Sequence, residues 1–386
     1  MKLYSENGNY KLYNGNMLDM LDIIEPCSID AIITDPPYEL NFMNKGWDNS
    51  GIAFQKETWK KCFQVLKSGG YLLAFGGSRT SHRIACAIED AGFEIRDTIM
   101  WLYGSGFPKS MNIGLAIDKK GNIEHEWQGW GTALKPSYEP IIIARKPCEG
   151  TCVDNVLKYG VGGINIDECR VATEENIQSH NYTQNSGIYG KYNKNIESHS
   201  TGTGRFPANT ILTYDDTDFD EVCGGMPETK GSGETRKNTS GTNVVFGTYN
   251  PHCSQNSIWG DSGSAARYFY CAKASKRDRD EGLENFEPQK GIRSNAPREN
   301  EEIKTKPRKN IHPTVKPTSL MQYLVRLVTP KNGIILDPFN GSGSTGKAVM
   351  YENKDRNANY KYIGIELTEE YLPITQARIE YAQKEI

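Results

Sequence analysis

Hydrophobic runs of strand length alternate with amphipathic segments in both end regions of the chain. The run at residues 29–34 is apolar and rich in β-branched side chains, which predicts a buried parallel strand. Similar runs predict strands at residues 10–13, 71–75, 95–102, 140–144, 333–336 and 362–366. Apolar residues at helical spacing predict helices at 17–24, 54–66, 82–91, 111–118, 317–328, 344–351 and 369–382. This alternation predicts an α/β fold with a doubly wound, mostly parallel sheet.

The pattern changes in the middle of the chain. Residues 148–263 are rich in Gly, Asn, Ser and Thr, and this stretch is too long for a connection inside a compact sheet. A charged, proline-containing stretch follows, and we expect residues 277–310 to be poorly ordered without a ligand. The predicted regions are one half of an α/β domain at 1–147, an inserted lobe at 148–263, a basic flexible connector at 264–311 and the second half at 312–386.

Composition excludes some classes of protein. The formal net charge is −3, from 45 Lys and Arg against 48 Asp and Glu, so a polyanion would have to meet a local basic patch. No apolar stretch reaches the length of a membrane span or a secretory leader, which predicts a soluble cytoplasmic protein. Nine cysteines are scattered along the chain, and the spacing of Cys148 and Cys152, with Cys169 and Cys223 beyond, resembles a metal site only weakly. We therefore predict no metal.

Asp35, Pro36, Pro37 and Tyr38 directly follow the strand predicted at residues 29–34. In open α/β sheets the carboxyl ends of the strands carry the chemistry. The prolines stiffen the backbone there, the carboxylate and a prolyl carbonyl can accept hydrogen bonds from an exocyclic amine, and the tyrosine ring can stack on a planar group. By itself the motif fits a rigid turn equally well.

A glycine-rich loop at residues 337–346 lies between a predicted strand and a predicted helix. Glu366 ends the next strand, at a distance along the chain that suits recognition of ribose hydroxyls. A dinucleotide would fit this arrangement nearly as well. However, Asp337 and Phe339 suit an ammonium and an apolar or planar group better than a pyrophosphate.

The sheet is complete only if the last strands join the first ones. Such a sheet would place residues 341–346 beside residues 35–38. A cofactor with an amino-acid end and a nucleoside, facing a carboxylate and an aromatic ring, describes S-adenosylmethionine held next to an amine.

With these motifs the chain resembles the beta class of amino-group DNA methyltransferases, and in particular phage and prophage members. In that class the catalytic motif comes first, a target-recognition region follows, and the cofactor loop comes near the end, so the fold is permuted. The resemblance covers nearly the whole chain except roughly residues 177–203 and 222–250. It is carried by residues 34–38, 45–48, 135–140, 264–270, 312–317, 337–346 and 364–366.

The resemblance implies roles for individual residues. The catalytic motif is Asp35, Pro36, Pro37 and Tyr38: Asp35 and the Pro36 carbonyl would hold the target amine, and Tyr38 would stack on a flipped base. Asp35 would also border the cofactor. The remaining predicted cofactor-binding residues are Asp337, Phe339, Gly341, Gly343 and Thr345 at the methionine end, Glu366 at the ribose, Lys316, Pro317 and Thr318 near the carboxylate, and Asn16, where many members carry Asp, at the adenine.

The resemblance also implies an activity, which is methyl transfer from S-adenosylmethionine to the N6 amine of adenine in double-stranded DNA. Asp35 favours adenine, whereas a Ser at this position usually accompanies cytosine-N4 methylation. A cognate restriction endonuclease and a monomeric or homodimeric state are further expectations. The alternatives are a cytosine-N4 enzyme, a methyltransferase acting on RNA or protein, a non-catalytic DNA-binding anti-restriction module, and a nicotinamide dehydrogenase, which Phe339 disfavours.

Overall fold

The computed structural model describes most of the two end regions of the chain and parts of the middle. The described residues are 2–40, 50–103, 110–121, 123–172, 204–215, 228–229, 242–243, 247–248, 263–264, 269–274, 276–289 and 307–384. Residues 45–48, residues 177–203 of the predicted lobe and residues 290–306 of the predicted connector lie outside them. Among the described helices, none combines the length and the apolarity that a membrane span requires.

Ten described strands form one sheet. They are β1 (Lys2–Glu6), β2 (Tyr10–Asn14), β3 (Ile29–Thr34), β4 (Leu66–Phe75), β5 (Glu94–Tyr103), β6 (Tyr138–Arg145), β7 (Thr210–Asp215), β8 (Tyr270–Ala274), β9 (Ile334–Asp337) and β10 (Lys361–Glu366). Their order in the sheet is β1-β2-β10-β9-β3-β4-β6-β5-β7-β8. Only β1 and β6 run antiparallel to their neighbours in this sheet. Two further ribbons pair Glu228–Thr229 with Gly263–Ser264 and Thr242–Asn243 with Gly247–Thr248.

Helices cover both faces of this sheet. The described α-helices are α1 (Met17–Met20), α2 (Lys56–Val65), α3 (Ser81–Asp90), α4 (Ile113–Asp118), α5 (Cys152–Tyr159), α6 (Lys276–Asp280), α7 (Thr318–Val328), α8 (Ser344–Arg356) and α9 (Leu372–Lys384). Alternate residues of β3 face opposite cores: Ala31 and Ile33 pack with α7, α8 and α9, whereas Ile32 packs with α1, α2 and α3. The predicted doubly wound, mostly parallel α/β fold is thus confirmed.

One predicted strand starts too late. The helix predicted at 54–66 is observed as α2, which ends at Val65, but the strand predicted at 71–75 starts earlier, because β4 begins at Leu66 and includes residues 67–70. The Gly69 N–H donates to the Lys146 carbonyl at 3.0 Å. A Cβ on Gly69 would lie 2.1 Å from Nδ2 of the buried Asn155. Gly69 therefore allows α5 to approach the sheet closely.

The middle of the chain is less separate from the sheet than the sequence predicts. Strand β7, which falls within the predicted lobe at 148–263, pairs with β5 and β8 in the main sheet. Helix α6 includes residues 277–280 of the stretch 277–310, for which we expected poor order, and its Asp278 contacts α7 and α8. The expectation of poor order is wrong for the described residues 277–280. The cause in both cases is tertiary pairing, which a polar composition does not reveal.

Candidate active site at the carboxyl edge of the sheet

The two predicted motifs meet because β3 and β9 are neighbours in the sheet. They pair in parallel, with Ile335 opposite Ala31 and Leu336 opposite Ile32. Parallel neighbours end at the same edge, so the residues after Thr34 lie beside the loop after Asp337. The Thr34 hydroxyl donates to Oδ1 of Asp337 at 2.7 Å and joins the two ends directly. Segments from opposite ends of the chain thus share one edge of the sheet.

Asp337 organises the start of the glycine loop. Its side chain is buried, Oδ2 accepts from the Thr345 hydroxyl at 2.7 Å, and Oδ1 also accepts from the Phe339 N–H at 3.1 Å. Burial raises the pKa of Asp337 to about 6, although the hydrogen bonds from Thr34 and Thr345 oppose that shift. The Phe339 side chain packs against the core formed with α1, α2 and α3. These bonds fix the loop that is predicted to hold the cofactor's methionine end.

The glycine loop needs its glycines for conformation and for space. Gly341 and Gly343 have φ values of +53° and +72°, in the left-handed region where glycine is favoured. A Cβ on Gly343 would lie 2.8 Å from Cγ2 of Thr375, and one on Gly341 would lie 2.9 Å from Nε2 of His312. The backbone therefore passes closely between α9 and the loop that carries His312.

Glu366 lies at the end of β10, next to this loop. Its Oε2 accepts from the Gly341 N–H and its Oε1 from the Thr368 N–H, both at 2.7 Å. Its main-chain carbonyl accepts from the Gly15 N–H at 3.0 Å, which brings the start of α1 to the same edge. A cavity of about 260 Å³ there is lined by Gly15, Asn16, Asp19, Met20 and Asp22. Asn16 Oδ1 caps α1 by accepting from the Leu18 N–H at 3.0 Å.

Lys316 is directed to the catalytic motif. Its Nζ donates to Oδ2 of Asp35 at 2.6 Å and to the Tyr38 hydroxyl at 3.2 Å, and its side chain is only 7% exposed. The second oxygen of Asp35, Oδ1, is buried and has no hydrogen-bond partner among the described residues. A buried carboxylate oxygen without a donor is costly, so this atom is suited to receive one from a ligand.

Glu139 completes this cluster. Its Oε2 accepts from the Tyr38 hydroxyl at 2.8 Å and lies 3.3 Å from Nζ of Lys316. Its Oε1 accepts from the Tyr103 hydroxyl at 3.3 Å. Because β6 runs antiparallel to β4 and β5, its first residues reach the edge where its neighbours end. The motif at 135–140 contains Glu139, but the sequence analysis assigned no role to this residue. A carboxylate at the start of an antiparallel strand could have indicated one.

The positive charge of Lys316 in this cluster is compensated by two carboxylates in direct contact with it. Burial, followed by the charges of Asp35 and Glu139, raises the pKa of Tyr38 well above its usual value, so the phenol stays neutral. For Lys316, burial favours the neutral amine, but the same two carboxylates outweigh it and raise the pKa. The cluster is thus an ammonium held between two carboxylates, with a neutral phenol beside it.

Pro317 and Thr318 link the site to helix α6. Pro317 precedes α7, and the Thr318 N–H and hydroxyl donate to the Asp278 carboxylate at 2.7 and 2.5 Å. The place of Lys316, Pro317 and Thr318 near the cofactor carboxylate stays a prediction.

Helix α6 contacts side chains that support the glycine loop, and the sequence analysis did not predict this helix. Asp278 accepts from Nζ of Lys347 at 2.6 Å, and its main-chain carbonyl accepts from Arg378 at 3.3 Å. Arg378 in turn donates to the Ser342 carbonyl at 2.7 Å. The side chains of Lys347 and Arg378 are fully buried, so Asp278 supplies a negative charge that both require.

The carboxyl group of Glu366 makes stability depend on pH. Burial raises its pKa to about 7 from 4.5, against the lowering effect of the N–H donors. A carboxyl group whose pKa is raised by folding contributes its full stabilisation at pH values below its pKa in the unfolded chain. That stabilisation is lost as the pH rises through its pKa in the folded protein. From about pH 5 to about pH 8 we expect the free energy of unfolding of the wild type to fall by about 2.5 kcal/mol relative to Glu366→Gln. Urea unfolding at each pH measures this difference, and a constant difference would contradict it.

The chain was compared with known proteins. A family model for N6/N4 methyltransferases, described as DNA methylase, matches residues 29–377. The chain is 27% identical over 213 residues to the type II methyltransferase M.HindIII of Haemophilus influenzae, an alignment covering 43% of this chain and 67% of that enzyme. It is 38% identical over 120 residues to the type II methyltransferase M2.LlaDCHI of Lactococcus lactis, covering 26% of this chain and 44% of that enzyme.

Solved structures were compared as well. The cytosine-N4-specific PvuII DNA methyltransferase aligns over 98% of this chain and 90% of its own, with 13% identity and a TM-score of 0.48. M1.HpyAVI aligns over 96% of this chain and 98% of its own, with 16% identity and a TM-score of 0.40.

Proposed function

This chain belongs to the N6/N4 DNA methylase family, and from that premise we propose that it methylates the N6 amine of adenine in double-stranded DNA. The observation that carries the proposal is the pairing of β3 with β9. It brings the Asp35 motif and the glycine loop together at one edge of the sheet. A donor bound by the loop and an amine bound by the motif would then be neighbours, as direct transfer between them requires.

The residues at this edge fit S-adenosylmethionine. Glu366 contacts Gly15, which lines the cavity at Asn16, and a carboxylate next to such a cavity suits a ribose and an adjoining base. The left-handed Gly341 and Gly343 allow the backbone to approach a ligand closely. When bound, this cofactor supplies the methyl group from its sulfonium, so no residue of the protein needs to carry that group.

The catalytic motif would act on the target amine by accepting its hydrogens. An aryl amine is a weak nucleophile because its lone pair is delocalised into the ring. Acceptance by Oδ1 of Asp35 and by the Pro36 carbonyl would localise that lone pair on nitrogen. Oδ1 of Asp35 is suited to this because it is buried and has no donor among the described residues.

The base must leave the helix to reach this site. Its amine is inaccessible in a stacked duplex, and extrusion costs a few kcal/mol. Stacking on the Tyr38 ring would recover part of that cost. The Nζ of Lys316 lies 5.4 Å from the centre of this ring in the structure, so we expect Lys316 to shift when a base enters.

Identification of the methylated base tests the proposal. The protein is incubated with labelled S-adenosylmethionine and unmethylated DNA, which is then digested to nucleosides and separated by mass spectrometry. We expect N6-methyladenine. N4-methylcytosine would overturn the choice of base, and unmodified DNA would overturn the activity. Single-molecule sequencing of DNA from expressing cells would give the recognition sequence and test the expectation of a cognate endonuclease.

We expect Glu139 to position the Tyr38 ring. Glu139→Ala removes the acceptor at 2.8 Å from the Tyr38 hydroxyl, so the ring loses its fixed orientation. We predict a loss of about tenfold in kcat with little change in cofactor affinity, measured by steady-state methylation of a duplex.

Tyr38→Phe and the double variant provide the control for this prediction. Tyr38→Phe removes the same hydrogen bond from the other side, so the two losses should not add. Strict additivity of the two losses in ln kcat would show that they act separately and contradict the positioning role.

A further inference from the structure

Two cysteines that the sequence associates only weakly with a metal lie side by side in the structure. The Sγ atoms of Cys148 and Cys152 are 3.8 Å apart. Cys152 is exposed and Cys148 is partly exposed, so both are open to small reagents. Cys169 is buried elsewhere, Cys223 lies outside the described residues, and the described residues contain no group of metal ligands.

A buried guanidinium contacts one of these thiols. Nη1 of Arg145 lies 3.1 Å from Sγ of Cys152, while Nη2 donates to Glu94 at 2.7 Å. The contact with Arg145 is the main cause that lowers the pKa of Cys152, whereas burial raises the pKa of Cys148. A thiolate next to a cation is the reactive form of cysteine, so Cys152 is placed to react first.

The local backbone holds the two thiols in this arrangement. Cys152 is the first residue of α5, and Thr151 caps the helix in a reciprocal capping box with Asp154. The Glu149 N–H donates to Oδ1 of the buried Asn155 at 3.0 Å, which fixes the preceding loop to the helix. The sulfurs are therefore held within about 2 Å of disulfide bond length.

We propose that Cys148 and Cys152 are a redox-reactive thiol pair, a modification site at which a peroxide forms a disulfide. The Cys152 thiolate attacks one peroxide oxygen, the O–O bond breaks, and a sulfenic acid forms while the other oxygen leaves as hydroxide. This hydroxide takes up the proton that the Cys152 thiol released on ionisation and becomes water. The Cys148 thiol then attacks the Cys152 sulfur, its proton passes to the departing hydroxyl, and a second water leaves. The two thiols lose two electrons and the peroxide gains two.

The test is peptide mapping of the full chain after treatment with hydrogen peroxide. Trypsin cuts after Arg145 and Lys158 and spares the Lys146–Pro147 bond, so residues 146–158 carry both thiols in one peptide. We expect this peptide to become two hydrogens lighter and to resist alkylation. Before oxidation, brief exposure to iodoacetamide should label Cys152 at least about fivefold faster than the exposed Cys86 of α3.

Variants separate reactivity from simple exposure. Cys148→Ser removes the resolving thiol, so Cys152 should pass to sulfinic acid, whereas Cys152→Ser should leave Cys148 reduced. Arg145→Gln should slow the labelling of Cys152, and Glu94→Gln, which keeps the contact between Arg145 and sulfur, should not. A thermal melt of each variant shows that it is folded.

Three outcomes would overturn the proposal. They are labelling of Cys152 no faster than Cys86, an unchanged 146–158 peptide when other cysteines are oxidised, and a stoichiometric zinc ion bound by these thiols in the purified protein. None of these measurements uses methylation, so their result is independent of the proposed activity.

Discussion

Asp35→Ala is expected to lower the rate of methyl transfer by about 10³-fold or more while the cofactor still binds. The substitution removes the carboxylate that would accept from the target amine, and acceptors of this kind contribute factors of this size. We expect the variant to fold because Oε2 of Glu139, 3.3 Å from Nζ of Lys316, still neutralises the lysine. Single-turnover methylation measures the rate, and calorimetry with S-adenosylmethionine measures binding.

Two controls accompany this prediction. Asp35→Asn keeps the shape of the side chain and one carbonyl acceptor, so its rate should lie between those of the wild type and the alanine variant. Asp90→Ala, at an exposed position of α3, should leave the rate unchanged. Methylation by Asp35→Ala at close to the wild-type rate would refute the assigned role of the carboxylate.

Asp278→Ala is expected to have the largest effect on stability. Asp278 accepts from the fully buried Lys347 at 2.6 Å and lies 3.8 Å from the fully buried Arg378. Burial alone would raise the pKa of Asp278, but the charge and hydrogen bonds of Lys347 and Thr318 outweigh it and lower that pKa. Removing the carboxylate leaves Lys347 with Glu281 as its only carboxylate partner among the described residues and should reduce the free energy of unfolding by about 3–5 kcal/mol.

Urea unfolding near neutral pH measures this loss. Arg277→Ala is the matched control on the same helix, because its side chain is 81% exposed and its ion pair should contribute less than about 1 kcal/mol. Adding Lys347→Met to Asp278→Ala should restore part of the loss by removing the stranded charge. A loss below about 1 kcal/mol in Asp278→Ala would show that α6 contributes little to the core.

Helix α6 shows why part of the site escaped sequence reasoning. Its residues are charged and lie in a stretch of low hydrophobicity, which is typical of disordered segments. The structure shows Asp278 in contact with Lys347, which is 69 positions away along the chain. A charge that neutralises a buried lysine looks, in the sequence, like any other surface charge.

The sequence by itself determined seven of the ten strands of the sheet, most helix positions and the two motifs. Each of these depends on local features, such as the spacing of apolar residues and the glycines that accept a positive φ at 341 and 343. The order of the motifs along the chain was also enough to indicate the family.

Only the tertiary structure decided which side chains meet at the edge of the sheet. Lys316 reaches Asp35 across 281 positions, and Tyr38 reaches Glu139 across 101. These contacts depend on the strand order and on the reversal of β6, which carries Glu139 to the edge where its neighbours end. Local patterns do not encode that order, because it is selected by the free energy of packing the whole sheet between its two layers of helices.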